Sequence, residues 1–128
     1  MKNFKIFFNL TLVFSLLIIS CNSLKPDSFI IEGSTDFEDG LSVYRVKAGP
    51  NGQPITVDTA KIIKGNFKFE GLISQIDINF INIEGLNANI PVIIEEGVIK
   101  AEIFKDNLNS PKIGGTQSNN DLDQYRVS

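Results

Sequence analysis

Chemistry in this chain has few residues to run on. Its 128 residues include no histidine, no tryptophan and a single cysteine, Cys21. A Ser-His-Asp triad, a Cys-His nucleophile pair, a Cys/His zinc site and a Cys-x-x-Cys redox motif all require residues that are missing. Catalysis would have to rest on carboxylates, Lys, Tyr, Ser or Thr. Two carboxylate groups stand out. Asp36-Phe37-Glu38-Asp39-Gly40 has the oxygen density of a calcium loop, because hard cations take oxygen ligands. It lacks the spaced glutamate of a helix-loop-helix site, and we read it as a solvated turn. Glu95-Glu96 could supply the acid and base of a glycosidase. Adjacent strand residues point to opposite faces, so a hairpin turn is the better reading. Phe67, Phe69 and Phe80 could line a groove for a peptide or lipid, but on alternating strands they belong in a core. Tyr44 and Tyr125 are the only aromatic residues with a polar handle. The expectation is a noncatalytic chain with no catalytic residue, no metal and no cofactor.

What positions this chain begins at its start. Lys2 and Lys5 precede Ile6 through Ile19, an apolar run broken only by Asn9, Thr11 and Ser15. A helix needs about 20 apolar residues to cross a bilayer core, and this run is shorter. Residues 1–20 therefore read as a removed secretory leader. Ile18-Ile19-Ser20-Cys21 resembles a bacterial lipobox, which implies that the Cys21 thiol becomes a thioether carrying diacylglycerol. Two or more acyl chains hold a protein stably on a membrane, so Cys21 is the expected lipidation site and the membrane an expected partner. A sulfur locked in a thioether does no redox work. Residues 21–28, with Lys25, Pro26 and Asp27, read as the lipidated cysteine and a polar tether. No acidic cluster of the kind that directs export to the cell surface follows Cys21. The expected location is the cell envelope, periplasm-facing, on the outer rather than the inner membrane.

Charge narrows the partners further. The formal net charge is -3, and losing Lys2 and Lys5 leaves ten basic against fifteen acidic residues. Nothing here builds the Lys/Arg-lined face that phosphate backbones need, so no nucleic acid is expected. About a hundred mature residues suffice for one domain with one core.

From Phe29 onward short strands alternate with turn signals, and no long stretch has helical period. Phe29–Glu32 is stopped by Gly33, Asp39-Gly40 makes a tight turn, and Leu41–Ala48 is a strand with mixed faces. Ile55–Ile63 and Asn66–Gly71, separated by Lys64-Gly65, give the strongest hairpin signal in the chain. Ile76, Ile78 and Phe80 share one face of Ile76–Glu84 while Ile81 and Ile83 share the other, so a bulge sits near Phe80 or both faces are covered. Ile90–Ile94, Val98–Phe104 and a short Lys112-Ile113 complete the set. Ser118 or Asn119 caps a final helix with Asp121 and Asp123 in its first turn and Leu122 and Tyr125 on one side. The predicted fold is all-β: an antiparallel β-sandwich or small open barrel over 29–116. A signal-peptide helix precedes it, and 117–128 form the start of a helix.

Several segments together are similar to a known pattern. They are Ile31-Glu32-Gly33, Asp58-Thr59-Ala60, Lys64-Gly65-Asn66-Phe67-Lys68-Phe69-Glu70-Gly71, Ile94-Glu95-Glu96-Gly97, and Gly115-Thr116 with Asn119. In this order, behind a lipobox, they resemble the bacterial lipoprotein domain of unknown function 4369, usually found in front of a thioredoxin-like domain. The resemblance implies a β-rich N-terminal domain of a lipid-anchored thiol-disulfide protein, with 117–128 as the start of a helical linker. No redox cysteine pair is present and the chain stops where that linker would begin, so the implied function is that of an accessory domain without its redox domain. A thioredoxin-like domain or protein is the implied partner. The alternative is an independent peptide- or glycan-binding lipoprotein. Asp58-Thr59-Ala60 also resembles an O-glycosylation acceptor of some lipoprotein-rich bacteria, which would place a sugar on Thr59.

Overall fold

A computed structural model describes residues 25–127. The leader over 1–20 and the lipidation site Cys21 lie outside the described residues. Eight strands and one helix follow in order: β1 Ser28–Thr35, β2 Ser42–Ala48, β3 Pro54–Lys61, β4 Asn66–Leu72, β5 Asp77–Ile83, β6 Ile90–Ile94, β7 Gly97–Ile103, β8 Lys112–Gly114 and α1 Gln117–Val127. They form two four-stranded sheets packed face to face, β4-β1-β7-β8 and β3-β2-β5-β6. The expected all-β sandwich is present. Its pairs are antiparallel except β1 with β7, which run parallel. A parallel pair needs a long crossover, and here β2 to β6, the whole second sheet together with β4, supply it.

Period-2 alternation explains the core. Phe29, Ile31, Phe67, Phe69, Ile99, Ala101, Ile103 and Ile113 point inward from the first sheet, and Val43, Ile81, Ile83, Ile90, Val92 and Ile94 from the second. Phe67 and Phe69 meet edge to face with centroids 6.1 Å apart, a preferred aromatic geometry. All three phenylalanines of interest are thereby placed. Phe67 and Phe69 are core, whereas Phe80 is half-buried on the outer face with Val46 and Pro54.

Several sequence expectations need correction. Gly33 does not stop β1, which runs on to Thr35, because the missing side chain leaves room for the Phe67 ring directly across the register. Lys64-Gly65 is a tight turn with positive φ at both residues, 52° and 74°, but the hairpin is a single bridge, Ile63 to Asn66. Beyond it β3 and β4 enter different sheets, because Ile62 turns into the core at the corner. Glu95-Glu96-Gly97 is likewise not a hairpin turn, since β6 and β7 belong to different sheets. In β5 the core face is Asn79, Ile81 and Ile83. No bulge sits at Phe80, and Ile76 and Ile78 stay exposed. The irregularity lies in the β2–β3 pairing, between Arg45 and Val46. Ser28, assigned to the tether, is the first residue of β1.

The helix also starts earlier than expected. The Asn120 N–H donates to the Thr116 carbonyl, so Thr116 is the cap in place of Ser118 or Asn119. No acidic residue falls in the first turn; Asp121 and Asp123 lie beyond it. Helix α1 packs on β8 and β6, the edges of the two sheets on one side of the sandwich. Covering both edges there removes templates for further strand pairing. No helix of the described residues is long and apolar enough to cross a membrane.

Candidate functional site

Four of the carboxylates flagged by the sequence, Asp36, Glu38, Asp39 and Glu95, are committed to structure, and Glu96 is exposed. Asp36 Oδ1 accepts from the Lys105 N–H, Asp39 accepts from the Lys64 and Gly65 N–H groups, and Glu38 pairs with Lys105 Nζ at 3.2 Å. The Glu38 carboxyl is held below its ordinary value, first by its own backbone N–H and then by Lys105. Asp36 to Gly40 is thus a clamp between two other loops. Among the described residues no three His, Cys, Asp or Glu side chains gather as a metal set.

Glu95 has a different task. Its carboxylate accepts from the Ser118 N–H and the Ser118 hydroxyl, each at 2.9 Å. Burial pushes this carboxyl up, but hydrogen bonds from the Thr116 and Ser118 hydroxyls and the Ser118 and Asn119 N–H groups outweigh it, leaving it below its ordinary 4.5. A negative charge at a helix N-terminus is favourable, and here it arrives from the β6–β7 turn and not from α1 itself. Beside it the Asn119 side chain pairs with both backbone groups of Ile93, accepting from N–H at 2.9 Å and donating to C=O at 2.8 Å. Two segments singled out by the sequence, Ile94 to Gly97 and Gly115 to Asn119, are therefore one lock.

A group whose folded value is depressed stabilises the fold above its ordinary value, and that contribution fades as pH falls through the depressed one. Glu95→Ala should cost about 1 kcal/mol at neutral pH, the size of a lost helix cap. In urea titrations the difference between wild type and variant should shrink steadily as pH drops below 4.5. A difference that stays constant with pH would show that the charge is not what holds α1.

Two concavities among the described residues are each lined by several charged side chains. The larger, about 700 Å³, lies along the outer face of the first sheet between Lys61, Lys68, Lys100, Glu32, Glu102 and Ile63. Its three lysines are already engaged: Glu32 faces Lys68 and Lys100 across the strands and is ion-paired with Lys100, Lys68 pairs with Glu70, and Lys61 Nζ donates to the Gly40 carbonyl and the Ser42 hydroxyl. Exposed pairs of this kind contribute about 0–1 kcal/mol each.

The smaller, about 350 Å³, opens at the end of the sandwich where β1 begins. Arg45 is among the residues that line it. Cross-strand registry with Ile81 turns Arg45 inward, toward Asn79, which is only 3% exposed. Arg45 Nη1 donates to Asn79 Oδ1 at 2.7 Å, and the guanidinium carbon lies 5.1 Å from the centre of the Phe29 ring. Burial lowers the guanidinium's pKa, while Asp58 across the strand pushes it back up. Arg45 forms no ion pair among the described residues, and its buried Nε has no hydrogen-bond partner there. A buried donor left unmade costs about 1–3 kcal/mol. Val57, Leu72, Ile73, Gln75, Asp77 and Lys47 form the rim. Sequence reading missed this site. The available signal was an arginine at the same parity as Val43 in a strand of mixed faces.

Thr59, the sugar acceptor suggested by the sequence, is exposed on β3, an edge strand. Tyr44 lines a shallow outer depression with Val46 and Thr56. Neither joins the mouth around Arg45.

Searches of the curated proteins and of the solved structures find no match. Family comparison does, over residues 29–122, a span that begins in β1 and reaches into α1 and so takes in both sheets and the lock. The chain belongs to the family described as Domain of unknown function (DUF4369).

Proposed function

We propose that this chain is a noncatalytic, lipid-anchored module of the cell envelope, facing the periplasm, that positions a thioredoxin-like domain or protein. The observation that carries it is the placement of the two ends of the fold. Residues 25–27 feed β1 at the end where Ser28 pairs with Leu72 and the Ile73 N–H donates to the Asp27 carbonyl. Leu72, Ile76 and Ile78 are exposed there by 79%, 67% and 56%. An anchor on Cys21 lies at most about 3.6 Å per residue from this end, which keeps these side chains within reach of the membrane interface. Helix α1 starts at the same end beside Glu95 and runs back along β8, where Asp123 accepts from the Ile113 N–H. Its C-terminal end thus points away from the anchor, toward the partner. The noncatalytic part of the reading is supported by Asp36, Glu38, Asp39 and Glu95, each engaged in a loop contact, an ion pair or a cap.

Mass spectrometry of the protein from native membranes tests the anchor. The expected product begins at Cys21 and carries a diacylglycerol thioether, and Cys21→Ser should cut the membrane-bound fraction by about tenfold or more, since a single weak signal does not hold a protein. An unmodified Cys21 with the leader attached would end this reading. Copurification of a thioredoxin-like protein, or its absence, tests the partner separately.

A further inference from the structure

We propose that the mouth around Arg45 is an oxyanion-binding site that takes a carboxylate or phosphate group. This inference stands on the geometry of the mouth and does not depend on the anchor. Arg45 is half-buried, but its Nε is shut off from solvent and has no acceptor among the described residues, and a buried donor left unmade is costly. No ion pair with a carboxylate relieves it there, although carboxylates are near. Asp58, its cross-strand neighbour, has Oδ1 on the Thr59 N–H, and Asp77 on the rim has Oδ1 on the Ile78 N–H. Lys47 adds a second cation to the same rim. The guanidinium is held in place from two sides, by Asn79 Oδ1 on Nη1 and by the Phe29 ring. That leaves the edge made by Nε and Nη2, the fork that binds two oxygens of one planar anion in parallel. An oxyanion entering the cavity bonds Nη2 and, with a small turn of the guanidinium, gives Nε its missing acceptor. Val57, Leu72 and Ile73 line the opening beside it. The shared chemistry has two sources, a soluble anion or the phosphate of a lipid headgroup.

The test uses the full chain, isotope-labelled and purified in nonionic detergent. The Arg45 Nε–H resonance and, in every variant, the backbone amide resonances of its neighbours Asn79 and Phe29 are followed while sodium phosphate, sodium acetate or, as control, sodium chloride is added at matched ionic strength. The expected result is a saturable shift with phosphate or acetate in about the millimolar range and none with chloride. Arg45→Gln should weaken binding by about tenfold or more, and Arg45→Lys, which keeps charge but not the fork, by an intermediate factor. Val57→Phe, which leaves Arg45 intact and fills the opening, should weaken it as well and guards against a misfolded Arg45 variant. Flotation of the Cys21→Ser chain, which carries no acyl anchor, with phosphatidylglycerol and phosphatidylcholine vesicles separates the sources. Arg45-dependent flotation assigns the site to lipid phosphate; saturable binding of the free anions without it assigns a soluble one. No saturable shift with either anion and no Arg45-dependent flotation, or affinities unchanged in both Arg45→Gln and Val57→Phe, overturns the proposal.

Discussion

Asn119→Ala should remove about 3 kcal/mol of unfolding free energy, among the largest losses of any single polar substitution in this fold. Asn119 is fully buried, and its amide completes the hydrogen bonding of Ile93 on the open side of β6. Alanine leaves the Ile93 N–H and C=O without partners, and each such group costs about 1–3 kcal/mol when water cannot reach it freely. The same change removes the donor to Thr116 Oγ1 at 2.8 Å, loosening the helix cap. Domains of this size have about 5–15 kcal/mol in total, so the midpoint of thermal unfolding should fall by about 15 °C. Asn119→Asp should be no better, because it keeps an acceptor for the N–H but turns a carboxylate toward the Ile93 carbonyl. Urea unfolding decides the matter. A loss below about 1 kcal/mol with α1 intact by circular dichroism would mean that water substitutes freely for the amide.

That lock was only half legible in the sequence. Glu95 and Asn119 both stood in segments marked as belonging together, but nothing in their spacing says that a turn between sheets reaches the first turn of a helix. Asn119 reads as a cap because asparagine favours that position, and its burial depends on a sheet edge the sequence does not reveal. The strands themselves were legible, all eight within a few residues, because alternation and turn residues are local signals. Sheet membership was not. Lys64-Gly65 has the conformation that a tight hairpin demands, yet the strands part after one bridge, and a two-residue spacing is identical in both cases. The same applies to Glu95-Glu96-Gly97. In β5 the run of isoleucines on both parities hid the inward face, which the structure gives to Asn79 with Ile81 and Ile83. Arg45 was invisible for a related reason: an inward cation makes sense only with Asn79 and Phe29 beside it, and those come from two other strands, β5 and, in the opposite sheet, β1.

Gly33→Ala is the second large effect, and the one in which two opposing terms can be weighed. Gly33 lies within β1 and its φ is not in the left-handed region, so alanine would adopt the backbone without strain. Restricting the unfolded chain would then stabilise the protein by about 0.4–1 kcal/mol. Against this, a Cβ at position 33 would lie 2.1 Å from the tip of the Phe67 ring and 2.3 Å from its neighbouring carbons. Phe67 is only 3% exposed and packed edge to face on Phe69, so the ring has no free space to swing into. Overpacking of this kind costs about 1–3 kcal/mol or more, and with three ring carbons inside contact distance the upper end applies; the clash wins by about 2 kcal/mol. A double-mutant cycle separates this from a general intolerance of side chains in β1. Phe67→Ala alone should cost about 3–5 kcal/mol through the cavity it opens. In the double variant the alanine at 33 enters that cavity without a clash, so the two losses should fall short of their sum by at least about 2 kcal/mol. Strict additivity would show that glycine is needed at 33 for the backbone and not for the ring, and the explanation for β1 running through Gly33 would have to be replaced.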